Sequence, residues 1–167
     1  MNEPEIVNPW PGHCFGCSPR NPHGLQLRFW RSESGCSTRC IVPDRLCGWD
    51  GWVHGGIIAA LLDEVAAWSI VVLLRRLGIT GKLTIRYVKP VPTNTELDVR
   101  GQVRQHNPRF AEVYSAIRSP DGVLLAEGES KWLLPKIAEL VQITGLDEAT
   151  LRQFFAQISP DQDAGSD

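Results

Sequence analysis

Val53-His54-Gly55-Gly56-Ile57-Ile58-Ala59-Ala60-Leu61-Leu62-Asp63-Glu64 places two acids inside an apolar run that opens on paired glycines. An ionised carboxylate in a low-dielectric setting is costly unless it is paired, and an acid beside a pocket tends to be a proton acceptor with a raised pKa. The glycines add a second chemical element. A helix N-terminus without side chains offers bare backbone N–H groups, and the positive end of the helix dipole, to an incoming oxygen. These twelve residues therefore hold a candidate base and a candidate oxyanion hole.

The apolar pattern runs on, predicting a helix over residues 54–77 with Gly78 as its C-cap. It is apolar nearly all round, so a curling sheet or a partner molecule must cover it. A membrane span needs about 20 predominantly apolar residues and tolerates central acids poorly. Asp63, Glu64 and Ser69 interrupt this run, and Arg75-Arg76 closes it. A helix buried inside a soluble protein is the better reading.

Strand patterns lie on both sides. Residues 25–30 alternate, Ser32-Glu33-Ser34-Gly35 turns the chain, and residues 36–42 complete a hairpin. Downstream, strands are expected over 82–89, 96–105, 110–119 and 123–134, with Pro90 and Pro135 as stops. Asn107-Pro108 and Pro120-Asp121-Gly122 are strong turns, so the last three strands form an antiparallel meander. Residues 1–24 carry prolines at 4, 9, 11, 19 and 22 and read as an ordered arm. Beyond Pro135, Leu146, Leu151, Phe154, Phe155 and Ile158 fall at helical spacing, predicting one appended helix, and the polar residues 161–167 are expected to fray. The expected organisation is an arm (1–24), one α+β domain (25–135) and a C-terminal extension (136–167).

A length of 167 residues fits one domain, and a net charge of -2 gives no footing for nucleic-acid or membrane-surface binding. Met1-Asn2-Glu3-Pro4-Glu5 lacks the basic start and apolar core of a secretory signal, so a cytoplasmic location is expected. Five cysteines make an odd count, which argues against a complete disulfide framework. Cys14-Phe15-Gly16-Cys17, flanked by His13 and His23, is half of a zinc site, but no second CxxC or HxxxH follows. The expectation is reduced thiols and no metal.

Two strands, a long buried helix and four strands is the order of a hotdog fold, a sheet of about six strands wrapped around a central helix. The residues match as well. His54-Gly55-Gly56 with Asp63 nine positions after the histidine resembles the motif of the phenylacetic-acid-pathway (PaaI-like) and THEM-type acyl-CoA thioesterases. Thr80-x-x-Leu83-x-Ile85-x-Tyr87-x-x-Pro90 resembles the strand that follows the helix in that family, where a Ser or Thr in the place of Thr80 helps position the nucleophile. Cys14-Phe15-Gly16-Cys17 with Asn21-Pro22-His23-Gly24-Leu25 resembles a leader found in part of it. The similarity covers residues 14–134. One departure is Gly48, where some members carry an Asn six positions before the histidine, so their substrate preference does not carry over.

The resemblance implies hydrolysis of an acyl-CoA thioester, with coenzyme A as part of the substrate and no separate cofactor. It assigns Asp63 as general base or nucleophile and the Gly55 N–H as oxyanion donor, with Thr80, His54 and Glu64 as further catalytic candidates. Gly56, Trp52, Arg86, Lys89 and Arg109 are the candidate substrate contacts. Eight residues of helix separate Gly55 from Asp63, about 12 Å at 1.5 Å per residue, while both must approach one carbonyl carbon. One helix cannot do both. Two antiparallel copies across a two-fold axis can, which predicts at least a homodimer, with a tetramer as the larger alternative. Gly56, Ala59, Ala60, Asp63, Ala66 and Ala67 give that approach a face of small side chains. Two other readings stand beside this one. A hotdog hydratase pairs its acid with a histidine shortly afterwards, and none follows Asp63 before His106. A non-catalytic acyl-CoA-binding module keeps the fold without turnover.

Overall fold

The computed structural model describes residues 4–158. Its centre is helix α1 (Gly55–Leu74), laid against an antiparallel seven-stranded sheet. The strands are β1 (Glu5–Ile6), β2 (Phe29–Ser32), β3 (Gly35–Ile41), β6 (Ile79–Tyr87), β7 (Glu96–His106), β8 (Phe110–Arg118) and β9 (Leu124–Leu133), in the order β1-β2-β3-β7-β8-β9-β6. Two short strands, β4 (Cys47–Trp49) and β5 (Trp52–Val53), pair separately just before α1. This is the hotdog architecture, with the β2–β3 hairpin and the β7-β8-β9 meander as expected. The sheet gains β1 from the proline-rich arm.

Leu61, Leu62 and Val65 of α1 are fully buried, as are Leu97, Val99 and Ile117 of the sheet. By length and composition α1 could also cross a bilayer, but here 56% of its most apolar 18-residue stretch is buried inside the protein. Close approach of helix to sheet is set at Gly101 of β7. A Cβ there would lie 2.3 Å from Ser69 Oγ and 2.7 Å from the Val65 carbonyl oxygen. Ser69 Oγ in turn donates to that carbonyl at 2.7 Å and accepts the Cys36 N–H at 3.2 Å. Gly101→Ala forces backbone apart and is expected to destabilise the fold by about 1–3 kcal/mol, read as a lower urea midpoint at unchanged slope.

The helix ends earlier than the sequence predicts. Arg75, not Gly78, is the C-cap, in the left-handed region at φ 52 and ψ 42, with its N–H bonded to the Val71 carbonyl. Gly78 is instead needed for space, since a Cβ there would meet the Trp132 ring at 2.9 Å. Ala66 is also corrected. It is fully buried under the sheet with Ala111, Val113 and Trp132, so the small-residue face is split between core and surface.

The extension contains two helices rather than one, α2 (Ile137–Thr144) and α3 (Glu148–Gln157), broken at Gly145 with φ 71. Nor is α3 merely appended. Phe154 meets Trp10 of the arm edge-on at 5.2 Å and lies 6.4 Å from Trp68 of α1, and Arg31 Nη2 donates to the Ile158 carbonyl at 2.9 Å. Arm, helix and extension thus share one core. The tail expected to fray, 161–167, lies outside the described residues.

Candidate active site

His54 caps α1. Its backbone is extended, and its Nδ1 accepts the Gly56 N–H at 2.9 Å, which supplies one acceptor to the first-turn amides that a helix leaves unpaired. Gly55 is the first helical residue, so its N–H has no acceptor within the helix. On its other side, the Gly55 carbonyl accepts the Tyr87 hydroxyl at 3.1 Å. Tyr87 lies within the motif quoted above, yet its contact with the helix start required the fold to be seen.

Two turns along, the half-buried Asp63 carboxylate accepts the Thr80 hydroxyl at 2.8 Å. A β-bulge accounts for this contact. Thr80 pairs with Trp132 and Lys82 with Lys131, leaving Gly81 as an extra residue. Without it, alternation would put Thr80 on the same face as Lys82 and Thr84. The bulge turns Thr80 towards the helix, the recurring use of bulges beside functional groups. Burial pushes the Asp63 pKa up, and the Thr80 hydrogen bond offsets part of the rise. The carboxylate is therefore less solvated than a surface acid and held in one orientation, both of which suit a base. Thr80→Val removes the orienting bond at constant shape and is expected to lower kcat about tenfold with KM little changed. Equal activity in steady-state assays of the two proteins would remove Thr80 from the site.

The remaining candidates divide by position. Gly56 and Trp52 lie near the Gly55 end: Val53 beside Trp52 pairs its N–H with the Val91 carbonyl at 2.8 Å, and Trp52 forms a bridge with Pro92. Lys89, two residues beyond Tyr87, bonds its N–H to the Leu125 carbonyl at 2.9 Å. Arg109 lies at the Thr80 end, its carbonyl accepting the Leu134 N–H at 2.8 Å next to the strand position paired with Ile79. Arg86 alternates with Tyr87 and so faces the outer side of the sheet, where it pairs with Glu127, itself bound by the Tyr114 hydroxyl at 2.6 Å. The structure does not bring Arg86 to either end of the site. Glu64 leaves Asp63 and turns to the arm, where the Cys14 sulfur is 3.5 and 3.6 Å from its two oxygens. Burial, and then the charge on Cys14, raise Glu64 to about 7.

The site is thus two half-sites on one helix, Gly55 with Tyr87 and Asp63 with Thr80. Residues 50–126, which span both, match the sequence profile of the thioesterase superfamily. The match takes in 77 of the 167 residues, and it marks what the hotdog core of this chain is similar to. Solved structures of the same fold include zebrafish thioesterase superfamily member 2, with a TM-score of 0.64 and 20% identity over 71% of this chain and 88% of that one. The PaaI protein of the Escherichia coli phenylacetic acid degradation operon matches at 0.60 and 17%, over 65% and 83%. A hypothetical thioesterase from Streptococcus pneumoniae, solved with coenzyme A, matches at 0.61 and 16%, over 65% and 85%. No curated protein sequence matches the chain.

Proposed function

We propose that the protein hydrolyses acyl-CoA thioesters to a free acid and coenzyme A, at two equivalent sites of a homodimer. The match of residues 50–126 to the thioesterase superfamily profile supports thioester hydrolysis in general, and the coenzyme A in the pneumococcal structure favours an acyl-CoA substrate. The observation that carries the residue assignment is the half-buried Asp63 carboxylate fixed by Thr80 at 2.8 Å. In this reading Asp63 of one copy takes a proton from the attacking water, or attacks directly. The Gly55 N–H of the other copy, reinforced by the α1 dipole, receives the negative charge that develops on the thioester oxygen. Tyr87, bonded to the Gly55 carbonyl, fixes the Gly55–Gly56 peptide, the one next to the donor.

The dimer rests on two observations. Gly55 and Asp63 lie on one continuous helix, which keeps them about 12 Å apart. In addition, β6 ends the sheet with a nine-residue edge carrying exposed Ile79 and Tyr87, and long apolar edges are normally covered. A second copy aligned antiparallel along that edge covers it and brings each Asp63 towards the other helix start. Light scattering is expected to give two or four times 18.6 kDa, and a monomeric mass at assay concentration would refute the shared site. A thiol-release screen over short, long and aromatic acyl-CoAs tests the reaction itself. Release above the uncatalysed rate from at least one class is expected, and binding without release from any of them would make the protein a ligand-binding module.

A further inference from the structure

We propose that Cys14, Cys17 and Glu64 form a binding site for one zinc-class divalent cation, which clamps the N-terminal arm onto α1. The two thiols alone are the half-site visible in the sequence. The fold adds the third donor, from fifty residues away. Ligand atoms of the three residues all lie within 4.8 Å of one another. The Cys14 sulfur is 3.5 and 3.6 Å from the two Glu64 oxygens. Around a tetrahedral zinc with usual bond lengths of about 2.3 Å to sulfur and 2.0 Å to oxygen, the sulfur–oxygen edge is about 3.5 Å. Cys14 and Glu64 are already spaced as ligands, with the Cys17 sulfur within 4.8 Å of both.

The turn is also built onto the carboxyl group. A Cβ at Gly16 would meet the Glu64 carboxyl group, so the CxxC backbone sits against that carboxyl and a side chain there would push it aside. The turn is pinned by the Leu25 N–H to the Phe15 carbonyl at 2.8 Å and the Leu27 N–H to the Gly16 carbonyl at 2.9 Å. Charge supplies a second argument. Cys17 is buried, Glu64 and Cys14 are partly so, and the charged groups acting on Glu64 are Cys14 and its neighbour Asp63, both acids. Among the described residues no cationic side chain is a leading influence on Cys14, Cys17 or Glu64, so retained protons or a metal ion balance this acidic cluster. Two thiolates select zinc or a similarly soft ion over magnesium or calcium. The exposed His13 and His23 are not in the group, so water completes the coordination.

The inference does not depend on thioesterase activity, and its test reads metal rather than turnover. Full-length protein purified with a phosphine reductant and no chelator is expected to carry about one zinc per protomer. After stripping, titration with cobalt(II) is expected to produce a thiolate-to-cobalt charge-transfer band that saturates at one equivalent and is bleached by zinc. Cys17→Ser and Glu64→Gln are each expected to weaken cobalt binding at least tenfold. Stripped wild-type protein that is folded by circular dichroism yet gives no such band overturns the proposal, without reliance on any variant. So does a band that survives Cys17→Ser, or a Cys14–Cys17 disulfide that persists under the reductant.

Discussion

Asp63→Asn is expected to lower kcat for acyl-CoA hydrolysis by about a thousandfold, within the range for loss of a positioned general base. The substitution keeps size and shape, and its amide oxygen can still accept the Thr80 hydroxyl that Asp63 accepts at 2.8 Å. What it removes is the ability to take a proton or to attack as an anion. Since Asp63 is half-buried with its pKa raised by that burial, replacing it by a neutral group is not expected to weaken the fold. Thermal stability should be equal or slightly higher, while turnover collapses. KM should change little if the carboxylate acts chiefly in the transition state. Thiol-release kinetics on the best substrate, alongside a melting curve, separate these effects. Near-wild-type turnover by a folded Asp63→Asn protein would reject Asp63 as the base.

Much of the fold was legible because its signals are local. The alternation in β7, β8 and β9, with turns at Asn107-Pro108 and Asp121-Gly122, fixes a meander whose observed strands differ from expectation by one residue at most of their ends. The helix was legible from its apolar run, but its end was not. Arg75 adopts a positive φ that sequence rules reserve for glycine, and Gly78 is required by the indole of Trp132, a contact across 54 positions of chain. The second helix of the extension was missed for a similar reason. In α2 only Leu140 is buried, and the helix is eight residues long, so it offers about two turns of pattern next to Pro135.

The same division runs through the site. Asp63 and Thr80 stand out in motifs, and the structure joins them, but the bulge at Gly81 that aims Thr80 is a matter of register and leaves no pattern in the sequence. Glu64 reads as a second acid beside the first. Its partners, Cys14 and Cys17, come from the arm, so nothing local distinguishes a catalytic acid from a ligand or an interface residue. Arg86 looked available for a phosphate until β6 placed it opposite Glu127 on the outer face. Neighbours supplied by tertiary structure decide the role of a charged group, and these were the readings that moved.

Gly55→Pro tests the other half of the reaction, and with it the claim that each site draws on two copies. Proline is favoured at the first helical position, where its missing N–H is not needed by the helix and its fixed φ is already helical. His54 is extended, as a residue before proline prefers, and a Cβ at Gly55 meets nothing nearer than the Tyr87 hydroxyl at 3.7 Å. The helix should form while the oxyanion donor disappears, lowering kcat by about 10²–10³. Mixing this variant with Asp63→Asn after dissociation then gives a sharper result. If Gly55 and Asp63 of a site belong to different copies, each mixed dimer contains one intact pair and one doubly defective pair. Random reassociation makes half of the dimers mixed, so activity should return to about a quarter of wild type from two nearly inactive parents. If both groups served a site within one protomer, no combination would restore an intact pair and the mixture would stay inactive. A quarter of the activity therefore supports the shared site, and none, with mixed dimers demonstrated by mass spectrometry, rejects it.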